Sequence, residues 1–159
     1  MYVNARAFIE RMTDQGTQLL LQFRDRPDEP RRLELPGGTL EEYEPILDGL
    51  AREIREETGL QVSRILDDTG WTVWDGESTQ VECLKPFFVY QTLNGPIDST
   101  GFFFRCEAEG ELTSAGDWAS GHTWVGVSEL EERFRTAPGE FHWLTQAALA
   151  HYFRWRHGR

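Results

Sequence analysis

The segment from Gly37 to Leu60, GGTLEEYEPILDGLAREIREETGL, constrains the chain more than any other. Pro45 and Gly59 bracket it, and proline suits the first helical position as glycine suits the stop. Between them Leu47, Leu50, Ala51 and Ile54 recur at helical spacing and form one apolar stripe. Each helical residue advances about 100°. With Glu53 at zero, Glu57 falls at about +40° and Glu56 at about −60°, so three carboxylates share a face beside the stripe. The spacing predicts a helix over 45–58, anchored on one side and acidic on the other.

On an open surface such acids repel by only about 0.2–0.5 kcal/mol each. In a partly enclosed site, two carboxylates about 6 Å apart at an effective dielectric near 20 repel by roughly 3 kcal/mol. A divalent cation reverses that sign, and hard oxygen ligands suit Mg²⁺ or Mn²⁺. A merely solvated acidic face would leave Gly37-Gly38, Glu44 and Arg52 unexplained.

These residues resemble the Nudix signature G-x5-E-x7-R-E-U-x-E-E-x-G-U, where U is a bulky aliphatic. Gly38, Glu44, Arg52, Glu53, Ile54, Glu56, Glu57, Gly59 and Leu60 match it over 23 residues with no departure. The resemblance implies metal-assisted hydrolysis of a nucleoside diphosphate linked to another moiety X. It implies Glu53, Glu56 and Glu57 as metal ligands, joined by the Gly37 carbonyl, and Mg²⁺ or Mn²⁺ as cofactor. It gives Arg52 and Glu44 an orienting role, pairing to hold the loop against the helix. The general base varies in the family; Glu53 comes first here, then Asp117 before Trp124, with Glu111 as a second loop acid.

The remaining chain fits this frame. Its 159 residues suit one domain, 1–159, with 39% hydrophobic and 27% charged residues. Strands are expected over 3–11 and 17–23 about a turn at Thr13–Gly16, then at 33–35, 62–66, 71–74, 81–92, 100–106 and 123–127. Pro36-Gly37-Gly38 reads as the stop after the third, Ser128-Glu129-Leu130-Glu131 as a capping box, and 144–155 as a last helix. The expectation is an α/β/α sandwich with a mixed sheet. Cys83 and Cys106 have no zinc spacing and read as reduced core thiols.

The formal net charge of −11 argues against a duplex nucleic acid partner, which needs a basic stripe. No apolar run approaches the roughly 18 residues of a membrane span, and the N-terminal residues lack signal-peptide organisation, so a cytoplasmic location is expected. An acidic protein would repel a polyphosphate; cations on the helix and nearby arginines would resolve that conflict.

Substrate preference lies outside the signature. Neither the proline of ADP-ribose hydrolases nor the tyrosine of dinucleoside polyphosphate hydrolases stands near Asp75–Ser78. That leaves a nucleoside triphosphate, intact or oxidised, as the leading substrate. ADP-ribose, another nucleotide sugar or a dinucleoside polyphosphate stay as alternatives, as does a non-catalytic nucleotide sensor. Arg24 and Arg26 are candidate phosphate contacts, and Glu34 and His142 candidate contacts to a base, His142 with Trp143 beside it. Trp71 and Trp74 read as core or interface. A homodimer is compatible with the resemblance.

Overall fold

A computed structural model describes residues 1–158. A long hairpin comes first: β1 (Tyr2–Thr13) and β2 (Gly16–Arg24) pair antiparallel from Thr13↔Gly16 back to Glu10↔Leu19. Short strands β3 (Arg32–Glu34) and β4 (Gly37–Thr39) lead into helix α1 (Ile46–Thr58). Then come β5 (Gln61–Ile65), β6 (Thr72–Asp75), β7 (Gln80–Cys83), β8 (Phe88–Gln91) and β9 (Ser99–Glu109). The two-residue β10 (Ala115–Gly116), β11 (Ala119–Gly126), α2 (Val127–Thr136) and α3 (Trp143–Arg156) complete the order.

The main sheet runs β10-β11-β2-β1-β9-β5, and it is mixed because β1 and β9 lie parallel from Tyr2↔Ser99 to Ile9↔Cys106. Alternate residues feed two cores, as the two-residue period of a strand requires. Phe8, Leu19, Leu21 and Phe103 face α2 and α3; Ala7, Ile9, Leu20 and Phe104 face Leu50 and Ile54 of α1. Covering both faces with helices gives the expected sandwich.

The site originates in a fork. Along one edge, β1 pairs with β4 at Asn4–Arg6 and with β2 at Glu10–Thr13. Beyond that point β2 turns instead to β3, with Gln22↔Glu34 and Phe23↔Leu33. The strands splay, and Pro36 joins β3 to β4 across the gap while its carbonyl accepts the Ala7 N–H at 3.0 Å.

Several expectations need correction. The third strand does end before Pro36, but Gly37 and Gly38 are not loop; they form β4 against β1. The expected strand 81–92 is two strands, β7 pairing with β6 and β8 with β9, separated around Pro86, which has no N–H for a ladder. Cys106 is a buried free thiol, but Cys83 lies exposed on the β6–β7 hairpin. Trp71 and Trp74 are likewise outside the core, at 53% and 62% exposure. Ser128 caps nothing: α2 begins at Val127, so Ser128 is already inside the helix, and Gly126 at the cap makes no side-chain bond. Pro45 precedes the first turn of α1 rather than opening it, and α3 starts at Trp143. No helix of the described residues is long and apolar enough to cross a membrane.

Candidate active site

The splayed strands and α1 enclose a cleft of about 540 Å³. Gly37, Gly38, Glu53 and Glu57 line one side of it; Arg6, Arg24, Arg26 and Glu34 lie on the β1–β3 side; Asp117, Trp118, His142 and Trp143 also border it.

Two glycines make the carboxylate side possible. Gly37 sits at φ +128°, a conformation that strains any residue with a Cβ, and a Cβ there would meet Arg6 Cα at 2.5 Å. A Cβ on Gly38 would run into the carboxylate of Glu53. The missing side chain at Gly37 lets β4 lie against β1, and the one at Gly38 lets β4 approach Glu53 of α1. A third close approach, Gly49 of α1 against Leu40 and Glu44 Oε2, has the same cause and falls outside the signature positions.

Arg52 organises the outer part. Its Nε and Nη2 donate to Glu44 at 2.7 and 2.9 Å, Nη2 also to the Thr39 carbonyl at 3.1 Å, and Nη1 to Glu53 at 2.8 Å and Glu56 at 3.1 Å. All five guanidinium N–H bonds are thus directed, which only the planar arginine fork permits. The Arg52 bonds hold the Glu44 carboxyl down to about 2. Glu44 also accepts the Glu41 N–H at 2.9 Å, tying the loop to the helix.

Deeper in, Glu57 is 7% exposed and takes hydrogen bonds from the Gly37 N–H and from Gln22 Nε2, both at 2.8 Å and both on Oε2. Burial, then the charge of Glu34, pushes its carboxyl well above the ordinary range, and burial also raises Glu53. Glu34 itself is 2% exposed, held by Gln22 at 3.3 Å and Arg24 at 3.4 Å, with Arg6 at 3.7 Å. It lies at the base of the cleft, engaged by protein donors.

Arg24 is anchored to Glu29 at 2.6 Å as well as to Glu34. Arg6, on β1, was not legible as a site residue. It donates through Nη1 to the Leu35 carbonyl at 2.9 Å, while its buried Nε has no partner among the described residues. His142 is held ahead of α3 by its backbone N–H to the Leu33 carbonyl at 2.9 Å. Burial, then the charges of Arg24 and Arg6, lowers its imidazole to about 4, so it is neutral near pH 7. Asp117 lies between β10 and β11 beside Trp118, which adopts φ +53°. Glu111 lies away from the cleft, where its backbone carbonyl packs against Gly59.

Among the described residues, no three acidic, histidine or cysteine side chains converge into a cage. Arg52 draws Glu53 and Glu56 to itself, and Glu57 is turned to Gly37 and Gln22. The donor set still fits a hard divalent cation. Glu53 and Glu57 are carboxylates whose charge burial disfavours, Glu57 faces a second acid at Glu34, and a cation offsets each of those costs.

The family model for the NUDIX domain matches residues 2–147. The chain belongs to the Nudix family, whose members are hydrolases of pyrophosphate bonds that generally use divalent metals such as Mg²⁺. No curated protein sequence matches it. Among solved structures it is similar to a MutT Nudix hydrolase from Burkholderia pseudomallei, at 21% identity over 94% of this chain and 95% of that one, with a TM-score of 0.64. The ORF135 protein of E. coli is 18% identical over 100% and 93% of the two chains, with a TM-score of 0.64. A MutT protein from Methanosarcina mazei Go1 is 16% identical over 98% and 94%, with a TM-score of 0.61. At these identities the likeness is one of fold.

Proposed function

We propose that this chain hydrolyses a nucleoside triphosphate, intact or oxidised, to the monophosphate and pyrophosphate. The observation that carries the reading is a cleft lined by both signs of charge, Glu53 and Glu57 together with Arg6, Arg24 and Arg26. A polyphosphate needs that arrangement: cations beside the acids for its charge, guanidiniums for its remaining oxygens.

Glu53, Glu56, Glu57 and the Gly37 carbonyl would hold Mg²⁺ or Mn²⁺. When bound, the cation polarises the phosphoryl oxygens and offsets charge that builds on them. The protein supplies position. Arg52 and Glu44 fix the loop against α1, and Gly38 lets Glu53 reach the cleft floor. Arg6, with an unpaired Nε, and Arg24 and Arg26 orient the phosphates. Water attacks phosphorus, its proton passes to a carboxylate, and the bridging P–O bond breaks with its electron pair leaving on pyrophosphate. Glu53 is the first candidate for the proton, as a carboxylate that lines the cleft; Asp117 is the loop alternative. Neutral His142 and Trp143 lie where a base would rest.

A product screen tests this. Nucleoside triphosphates, sugar nucleotides, ADP-ribose and dinucleoside polyphosphates are incubated with Mg²⁺ or Mn²⁺, and products are identified by mass. The reading expects pyrophosphate from triphosphates. Turnover of ADP-ribose alone would move the chain to a different substrate class. Nucleotide binding with no turnover of any substrate would make it a sensor.

A further inference from the structure

We infer that Gln22 is a positioning residue that holds Glu57 ready for a cation, an assignment that rests on the metal-dependent reading above. Its side chain is fully buried, on β2 at the fork, directly opposite Glu34 in the β2–β3 register. The one amide nitrogen reaches both acids, Glu57 Oε2 at 2.8 Å and Glu34 Oε1 at 3.3 Å. Ionised carboxylates only accept, so with both acids charged, as a bound cation would hold them, this nitrogen is the NH₂ group, and its two hydrogens are shared between the acids.

Two consequences follow for Glu57. Its repulsion from Glu34 is offset in part by a neutral donor bonded to both acids, beside the more distant charge of Arg6. Its orientation is also set. Gln22 and the Gly37 N–H both bond Oε2, which leaves Oε1 without a hydrogen bond among the described residues, on a side chain that lines the cleft. A carboxylate held by one oxygen and open at the other is prepared for a single-oxygen contact to a metal.

The other end of the amide argues that this is not packing alone. Gln22 Oε1 is buried with no partner among the described residues. Burying an unpaired acceptor opposes stability, and a methionine of similar shape would avoid it. The donor end is what an apolar replacement would lose.

The test is Mn²⁺ titration by calorimetry on the intact protein, alongside the metal dependence of triphosphate hydrolysis. Gln22→Met is expected to weaken Mn²⁺ binding by about 10–100-fold, the range for removing an outer-shell partner. The metal concentration for half-maximal rate should rise by a similar factor, while KM for nucleotide at saturating metal stays near the wild-type value. In a Glu34→Gln background the repulsion that Gln22 offsets is already gone, so Gln22→Met should cost less Mn²⁺ affinity there than in the wild-type background. Should Gln22→Met not fold, Gln22→Asn, one methylene shorter, must show the same direction. A Gln22 variant that folds less stably yet binds Mn²⁺ as the wild type does overturns the assignment. So does an equal loss from Gln22→Met in both backgrounds. If the wild-type protein itself takes up no Mn²⁺ and hydrolyses nothing, the metal-dependent reading falls first and the assignment falls with it, a pattern distinct from either outcome above.

Discussion

Arg52 and Glu44 show what a single pair accomplishes at this site. The pair is bidentate, and Glu44 is stabilised as a carboxylate far below its ordinary range, down to about 2. A depressed folded-state value means the contribution is complete above about pH 4.5 and lost as pH falls toward 2. Glu44→Gln should therefore cost about 2 kcal/mol at pH 7 and much less near pH 2.5, measured by urea unfolding at both values. Glu57 carries the opposite sign. Its folded-state value is raised by burial and by Glu34, so its ionisation opposes folding increasingly as pH rises above about 4.5. Glu57→Gln should make the metal-free protein more heat-stable at pH 8 than the wild type, with a smaller gain at pH 5. The same variant should lower turnover by about 10²–10³-fold. Greater stability joined to lost activity would mark a residue kept for function at the expense of the fold. A thermal midpoint that falls at pH 8 would contradict this.

At the scale of elements, what could be read in advance depended on distance along the chain. The acidic face of α1, its apolar stripe and the Arg52–Glu44 offset all lie within one segment, where the helical period places them. Arg6 and Gln22 reach the site only because β1 and β2 part at the fork, and nothing local to either residue marks them. Gly49 was hidden for a related reason: its need for a missing Cβ comes from Leu40 and Glu44 folding back over α1. The capping box failed by two residues of boundary, so Ser128→Ala should change stability by less than about 0.5 kcal/mol in a denaturant titration. His142 behaves differently at the start of α3. Its imidazole is lowered to about 4, so the unfolded chain takes up the proton first between pH 6.5 and 4. Folding loses up to about 3 kcal/mol over that window from this group. The stability of His142→Asn relative to wild type should climb by that order as pH falls from 7 to 4; a pH-independent difference would contradict it.

The whole molecule resolves an electrostatic conflict by geometry. A chain of net charge −11 gathers Arg6, Arg24 and Arg26 in one cleft with the buried acids Glu34 and Glu57. The fork in the sheet is what brings these charges together, since it lets Arg6 of β1 and Arg24 of β2 both reach Glu34 at the base of the cleft. The general layering could be read from hydrophobic periodicity; the fork could not, because it depends on which half of β1 pairs with which neighbour. The central claim is that this cleft breaks the pyrophosphate bond between the α- and β-phosphates of a nucleoside triphosphate. The most direct measurement is ³¹P NMR of a nucleoside triphosphate incubated with the protein and Mg²⁺. The account predicts loss of the β-phosphate triplet, with monophosphate and inorganic pyrophosphate appearing in equal amounts. Orthophosphate and diphosphate in their place, or a spectrum unchanged across the substrate panel, would contradict it.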